Sequence, residues 1–169
     1  DRSGSMSGRL LDYVKRAAKF LIEQVGATDV LSLTVFDSQV DVVFPSQHVT
    51  NKDVLKQAVD SINTGGSTNL SGGLLRGYEE ALKERRSDQV NRVLLLTDGM
   101  ANSGIVDPDM LAGKAGAMLR KGVSLSTVGV GLHFNEDLLI QLAEAGKGSY
   151  YYVREPDEIP SVFASELQG

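Results

Sequence analysis

The chain has 169 residues, of which 41% are hydrophobic and 23% charged, and its 17 basic and 22 acidic residues give a formal net charge of -5. A chain of this length and apolar content can build one ordinary hydrophobic core, so we expect one domain over residues 1–169 and exclude disorder. Because it has no block of Lys or Arg, nucleic acid and anionic membrane surfaces are excluded as expected partners.

The first third of the chain predicts a helix followed by a β-hairpin. Apolar residues recur at three- and four-residue steps over residues 9–25, which is the period of one helix face. Residues 30–36 and 39–44 form β-rich runs separated by only two residues, a spacing short enough for an antiparallel pair. We expect Pro45 to end the second strand, because proline donates no backbone hydrogen bond.

The middle of the chain predicts two helices and a buried strand. Thr50 and Asp53 form a capping-box-like start for a helix that reaches about residue 62, and a glycine-rich loop leads into a helix over residues 71–86. Residues 92–97 include Val-Leu-Leu-Leu without polar alternation, which is typical of a strand covered by helices on both faces.

The remaining third repeats the alternation of helix and strand. We expect helices over residues 108–119, 135–145 and 155–167, and strands over residues 123–130 and 150–153. The fold class predicted is therefore α/β: a doubly wound, mostly parallel sheet of the Rossmann-like type, flanked by helices and carrying one antiparallel edge strand.

The start of the chain leads to a further expectation about the sheet. Asp1 opens directly into a Gly/Ser loop and a helix, so a central strand that should lead into this loop is missing from the chain. We expect that strand to be a short run of Val, Ile or Leu before Asp1, and the domain to begin upstream of this loop. If the domain instead begins at Asp1, two neighbouring strands lack their shared partner.

Three polar segments are expected to converge where the strands of this sheet end. They are DRSGS at residues 1–5, GGSTN at residues 65–69 and TDG at residues 97–99. In a doubly wound sheet, ligands bind at the carboxyl ends of the strands. All three segments offer oxygen, and cysteine is absent, with histidine only at His48 and His133. An all-oxygen set selects a hard cation such as Mg²⁺, with Mn²⁺ or Ca²⁺ as alternatives, over zinc or copper.

The same segments resemble the metal-ion-dependent adhesion site of von Willebrand factor type A domains. The resemblance rests on Asp1-x-Ser3-x-Ser5, then Thr68, then Asp98, and it extends over nearly the whole chain to the closing YYYVREP segment, which is similar to bacterial members. It implies that Ser3, Ser5 and Thr68 coordinate the metal through their hydroxyls. It also implies that Asp1 and Asp98 act directly or through water, and that Thr68 and Asp98 exchange direct coordination between conformations.

The implied function is a non-enzymatic module that binds a partner protein through the cation. Two carboxylates neutralise a divalent ion while hydroxyls add no charge, so the ion can accept an Asp or Glu from the partner. Bacterial relatives occur in membrane-associated and multi-subunit assemblies, but composition assigns no compartment. No apolar stretch approaches the ~20 residues of a spanning helix, so we expect no membrane insertion by this segment.

Two other function classes stay open at this point. One is a Mg²⁺-dependent hydrolase or phosphotransferase, against which the sequence offers no phosphate loop, nucleophile elbow or nearby base. The other is a metal-independent scaffold with a vestigial site. The candidate rim of the partner surface comprises Arg2, Met6, Ser67, Met100, Ala101, Asn102 and Ser103. Asn69 is either a helix cap or a residue that orients Thr68 or the first loop.

Overall fold

The computed structural model describes residues 1–168, which alternate between helices and strands. The helices are α1 Arg9–Gln24, α2 Lys52–Asp60, α3 Leu70–Lys83, α4 Pro108–Arg120, α5 Glu136–Ala145 and α6 Ile159–Leu167. The strands are β1 Val30–Phe36, β2 Val40–His48, β3 Arg92–Thr97, β4 Ser124–Val130 and β5 Lys147–Val153. Short 3₁₀ turns lie at Gly4–Met6 and Pro156–Glu158. Over the described residues, no helix is both long enough and apolar enough to cross a membrane.

The strands form a parallel part and an antiparallel part. Strands β3, β4 and β5 are parallel in that order, with Arg92 opposite Ser124 and Thr97 opposite Gly129 at the two ends of the first pair. Strands β1 and β2 form an antiparallel pair. The predicted parallel sheet and the antiparallel edge strand are both confirmed.

Helices cover both faces of the parallel strands. On one face, Leu74 of α3, Leu111 of α4 and Leu142 of α5 pack around the buried Leu95 and Leu125. On the other face, α1 and α6 cover the sheet, and their buried side chains include Ala17 and Phe163. A third cluster joins α1 and α2 to the β1–β2 pair. Burial on both faces explains the uninterrupted apolar run of β3 and confirms the doubly wound α/β architecture.

A cavity separates the two parts of the sheet. Within residues 1–168, β1 pairs only with β2, and β3 pairs only with β4, so the facing edges of β1 and β3 share no ladder. The space between them has a volume of about 380 Å³ and is lined by both strands together with α1, α3 and α6. Its walls are mainly apolar, with Leu33 and Val35 on one side and Leu94 on the other.

Pro45 does not end the second strand, which continues to His48. The register of β1 against β2 shifts between Leu31 and Leu33, so Pro45 and Ser46 fall in an irregularity of the ladder, on an edge strand where a missing donor is tolerated. The N–H of Ser46 donates to the fully buried carboxylate of Glu80 on α3, at 2.9 Å. Burial raises the pKa of Glu80, but hydrogen bonds from Lys83 and Ser46 outweigh it, and the pKa lies below its ordinary value.

The start of α2 also differs from the prediction. Asn51, not Thr50, caps this helix, and its side chain accepts a hydrogen bond from the N–H of Val54 at 3.3 Å. Asparagine is as strong a capping residue as serine or aspartate. Asn51 caps α2 because its side chain lies next to the first free N–H groups of the helix.

Gly148 on β5 is expected to tolerate no side chain. An alanine Cβ there would overlap the backbone carbonyl of Leu125 on β4, which cannot move aside by a change of rotamer. We expect Gly148→Ala to lower the free energy of unfolding by about 3 kcal/mol, the upper end of the usual range for overpacking. Urea denaturation followed by circular dichroism measures the change.

Gly113→Ala is the matched control for this prediction. Gly113 lies on an exposed position of α4, with nothing within 4 Å of an added Cβ. The same change should there stabilise the chain by roughly 0.5–1 kcal/mol, because alanine has the higher helix propensity. Equal effects of the two substitutions would contradict the close approach of β4 and β5 at Gly148.

Candidate functional site

The first predicted segment lies between the ends of β1 and β3. The amino group of Asp1 donates to the carbonyl of Leu96 at 3.1 Å, and the N–H of Arg2 donates to the carbonyl of Phe36 at 2.8 Å. Consecutive residues thus bond to opposite neighbouring strands, as in the middle strand of a sheet. The carboxylate of Asp1 accepts from the N–H of Ser3 at 2.8 Å and from the hydroxyl of Thr97 at 2.7 Å.

Side-chain oxygens from the first and third segments meet directly. The hydroxyls of Ser3 and Ser5 are 3.2 Å apart, and the hydroxyl of Ser5 donates to Oδ1 of Asp98 at 2.9 Å. Asp98 follows β3, so the end of the most apolar strand carries this carboxylate to the loop that begins at Asp1. Two residues separated by 93 positions along the chain are therefore in contact.

Thr68, from the second segment, lies beside the same cluster. Its hydroxyl is 4.0 Å from the position that a Cβ on Gly99 would occupy, next to Asp98. The loop that carries Thr68 is joined to the first segment by two backbone hydrogen bonds, Gly4 N–H to Gly66 O at 3.1 Å and Gly65 N–H to Arg2 O at 2.8 Å. The structure thus brings the five predicted ligands, Asp1, Ser3, Ser5, Thr68 and Asp98, to one end of the sheet.

Asp37, which no sequence pattern singles out, holds the glycine-rich loop in place. Its carboxylate accepts from the N–H of Gly66 at 3.1 Å and from the N–H of Gln39 at 2.7 Å. A side chain on Gly65 would overlap this carboxylate, so the position requires glycine. Burial raises the pKa of Asp37, but these backbone hydrogen bonds and the Arg2 guanidinium, 3.7 Å away, bring the pKa below its ordinary value.

The cluster is mostly shielded from solvent. Ser3, Thr68 and Asp98 are buried, whereas Asp1 is half-buried and Ser5 is exposed. The cluster therefore opens to solvent on the side of Ser5.

The donor set of the cluster is chemically suited to a hard divalent cation. Three hydroxyls and two carboxylates present only oxygen, the element that Mg²⁺, Mn²⁺ and Ca²⁺ prefer. Across residues 1–168, no three His, Cys, Asp or Glu side chains gather into a group that could hold a metal. Hydroxyls must therefore contribute if this site binds an ion.

The structure shows Asn69 as the cap of α3 and revises the candidate rim. Asn69 caps α3, since its side chain accepts from the N–H of Gly72 at 3.0 Å. Met6 is fully buried in the core and cannot belong to a binding rim, because it lies on the 3₁₀ turn that faces α1. Met100 is 58% exposed beside the cluster, and Ser67 is also exposed.

A family model confirms the resemblance noted in the sequence. The model of the von Willebrand factor type A domain matches residues 1–165. The chain belongs to this family. Von Willebrand factor type A (VWA) domains use this fold for metal-dependent adhesion and protein interaction.

Curated relatives share the sequence of this VWA domain at moderate identity. An uncharacterized Escherichia coli (strain K12) protein named YfbK is 33% identical over 170 residues, which cover 99% of this chain and 30% of YfbK. The chain therefore spans about a third of the length of this relative.

Solved structures share its fold. A von Willebrand factor type A protein from Catenulispora acidiphila superposes with a TM-score of 0.86 at 20% identity, covering 98% of this chain and 40% of the other. Proximal thread matrix protein 1 from the mussel byssus is described with a zinc-occupied MIDAS motif, the abbreviation for the metal-ion-dependent adhesion site. It superposes with a TM-score of 0.78 at 21% identity, covering 99% of this chain and 43% of the other. At this level of identity, the superpositions establish a common fold and nothing more.

Proposed function

We propose that the chain is a divalent-metal-dependent protein-binding module whose ion is held by Asp1, Ser3, Ser5, Thr68 and Asp98. The observation that supports this most directly is the hydrogen-bonded series of oxygens from Ser3 through Ser5 to Asp98. Hydroxyls and carboxylates drawn from distant loops are gathered there without a basic side chain among them, an arrangement that favours a cation.

We propose Mg²⁺ as the ion, with Mn²⁺ or Ca²⁺ as alternatives. The absence of nitrogen and sulfur ligands among these five residues argues for a hard ion. The mussel byssus protein with its zinc-occupied MIDAS motif supports a divalent cation at the corresponding place of the fold. When bound, the ion would supply a positive charge and an acceptor for an anionic oxygen, while the chain's residues hold it and exclude water from its buried side.

The partner would be a protein that presents an Asp or Glu side chain. The two carboxylates of Asp1 and Asp98 balance the charge of a divalent ion, and an additional carboxylate can bind because the hydroxyl ligands carry no charge. Ser5 lies at the exposed side of the cluster, so the partner would approach there. Ser67 and Met100 are exposed on the loops nearby and are candidates for the rim.

No observation on residues 1–168 favours the enzymatic alternative. A hydrolase would need a group to activate water or a nucleophile, and both histidines, His48 and His133, are exposed and lie outside the cluster. The remaining alternative, a metal-independent scaffold, predicts that the chain binds no divalent ion. Our proposal predicts that it does.

Mn²⁺ and acetate, a small carboxylate, test whether an ion bound to the chain can accept a carboxylate. Mn²⁺ bound to the chain enhances the relaxation of water protons if it retains exchangeable water. We expect acetate to reduce this enhancement by displacing that water and acetamide, a neutral molecule of similar size, to leave it unchanged. Absence of Mn²⁺ binding would favour the scaffold, and Mn²⁺ binding without an effect of acetate would contradict capture of a carboxylate.

We also propose that residues 1–169 belong to one domain whose sheet is completed by an extended apolar segment joined to Asp1. The cavity between β1 and β3 and the two unpaired strand edges that face it support this proposal. So do the hydrogen bonds of Asp1 and Arg2, which reach β3 and β1 in turn. An apolar strand entering between these edges would continue the same alternation.

A further inference from the structure

Thr68 is held on both sides of its backbone by a single residue of another loop. Oδ1 of Asn102 accepts a hydrogen bond from the N–H of Thr68 at 2.8 Å. In return, the N–H of Asn102 donates to the carbonyl of Thr68 at 3.2 Å. Asn102 therefore satisfies both backbone polar groups of a buried residue from 34 positions away along the chain.

Other contacts join the same two loops. The hydroxyl of Ser71 accepts from the N–H of Ile105 at 2.8 Å. Gly104 adopts a φ of 72° and approaches Asn69 so closely that a Cβ there would overlap the Asn69 amide. The loop after β3 is thus attached to the beginning of α3 along its length, and Asn102 makes the contact nearest to the site.

This attachment relates two of the proposed ligands to each other. Asp98 lies at the start of the loop that contains Asn102, and Thr68 lies on the loop that Asn102 holds. With both its N–H and its carbonyl bonded, the backbone of Thr68 has a defined orientation. That orientation fixes its Cβ and limits the hydroxyl to the few positions that the χ1 rotamers allow. Neither hydrogen bond uses an atom of the Thr68 side chain.

We propose that Asn102 is a positioning residue that sets the Thr68 hydroxyl relative to Asp98 for metal binding. The inference rests on the proposed metal site and assigns to Asn102 a role different from that of a rim residue. Partners of this kind that orient a metal ligand typically change metal affinity by about 10- to 100-fold when they are removed.

The test compares Asn102→Ala with Asn102→Asp in the chain of residues 1–169. Alanine removes the acceptor for Thr68 N–H, whereas aspartate retains one. We expect the Kd for Mn²⁺, measured by isothermal titration calorimetry, to rise at least about tenfold in N102A and to return to within about threefold of the parent value, or below it, in N102D. The unfolding midpoint in EDTA should fall in N102A, because the buried N–H of Thr68 loses its acceptor, and should be largely restored in N102D.

Asn51→Ala is the matched control. Asn51 also accepts one backbone N–H, from Val54, but at the start of α2. The N51A substitution should lower the unfolding midpoint, because the helix cap is lost, without changing the Kd for Mn²⁺. A Kd in N102A equal to that of the parent would overturn the proposal, as would the same increase in N51A.

Hydrogen exchange of the Thr68 amide separates this proposal from the metal site itself. In EDTA, we expect the Thr68 N–H to exchange at least about tenfold faster in N102A than in the parent and to regain protection in N102D. If the parent binds no divalent ion, the proposed function fails and so does the role of Asn102 in metal binding, while faster exchange would still establish its hold on Thr68. Unchanged exchange in N102A would overturn the positioning role independently of any ion.

Discussion

Asp98→Asn should abolish the stabilisation by divalent cations that we expect for the parent chain. Saturation of the parent at about a hundred times Kd adds roughly 2.7 kcal/mol to the free energy of unfolding. For a chain of this size, that raises the unfolding midpoint by about 5–10 °C. The substitution removes one of the two charges that balance the ion, yet an amide oxygen at this position can still accept the hydrogen bond that Ser5 donates to Asp98. Differential scanning calorimetry with EDTA, then Mg²⁺, Mn²⁺ or Ca²⁺, measures the difference.

Asp107→Asn provides the matched control for the loss of charge. Asp107 lies in the same connection between β3 and α4 as Asp98, is exposed, and caps α4 by accepting from the N–H of Asp109. Asparagine caps a helix about as well as aspartate, so this variant should keep the full cation-dependent shift. Thr68→Ala, which removes a proposed hydroxyl ligand, should reduce the shift as D98N does. A parent chain without any shift would favour a metal-independent scaffold.

An apolar extension of about six residues before Asp1 should stabilise the chain substantially. Filling a cavity of about 380 Å³ corresponds to roughly 9 kcal/mol at about 24 cal/mol per Å³. Ordering about six residues costs roughly 1–2 kcal/mol each in backbone entropy, so the net gain is at most about 3 kcal/mol. We expect the unfolding midpoint to be higher by up to about 12 °C for a Val/Ile/Leu extension, measured in EDTA to exclude any effect of metal.

An extension of the same length made of Gly and Ser controls for chain length. It can form the same backbone hydrogen bonds but fills little of the cavity, and its glycines lose more conformational entropy on ordering. We therefore expect little or no stabilisation. If the apolar extension unfolds at the same temperature as the Gly/Ser extension, the space between β1 and β3 does not receive an apolar strand.

The fold was largely predictable because burial imposes a period on the sequence. The helix predicted over residues 9–25 is α1 Arg9–Gln24, and the strand predicted over residues 92–97 is β3 Arg92–Thr97. The predictions failed where a local rule was overruled by the partner strand, as at Pro45, which lies in a ladder irregularity within β2. Such an irregularity depends on the register between strands, which periodicity does not reveal.

The candidate site was only partly predictable. Asp1, Ser3, Ser5, Thr68 and Asp98 carry a family pattern that sequence alone reveals, and the structure places them together. Asp37 and Asn102 carry no such pattern, because each acts on the backbone of a distant loop. From the sequence, Asn102 is no more than one candidate for the rim. The packing of loops determines which N–H groups an Asp or Asn side chain faces. The roles of Asp37 and Asn102 are therefore visible only in the three-dimensional structure.

The buried contact between Glu80 and Ser46 has a consequence for the behaviour of the chain in solution. Strand β2 lies at the edge of its sheet, where free backbone groups can pair with another molecule. At Pro45 no N–H exists, and at Ser46 the N–H is already taken by Glu80. Neither residue therefore has a backbone N–H free to pair with an added strand. We expect this half of β2 to be a poor template for edge-to-edge association.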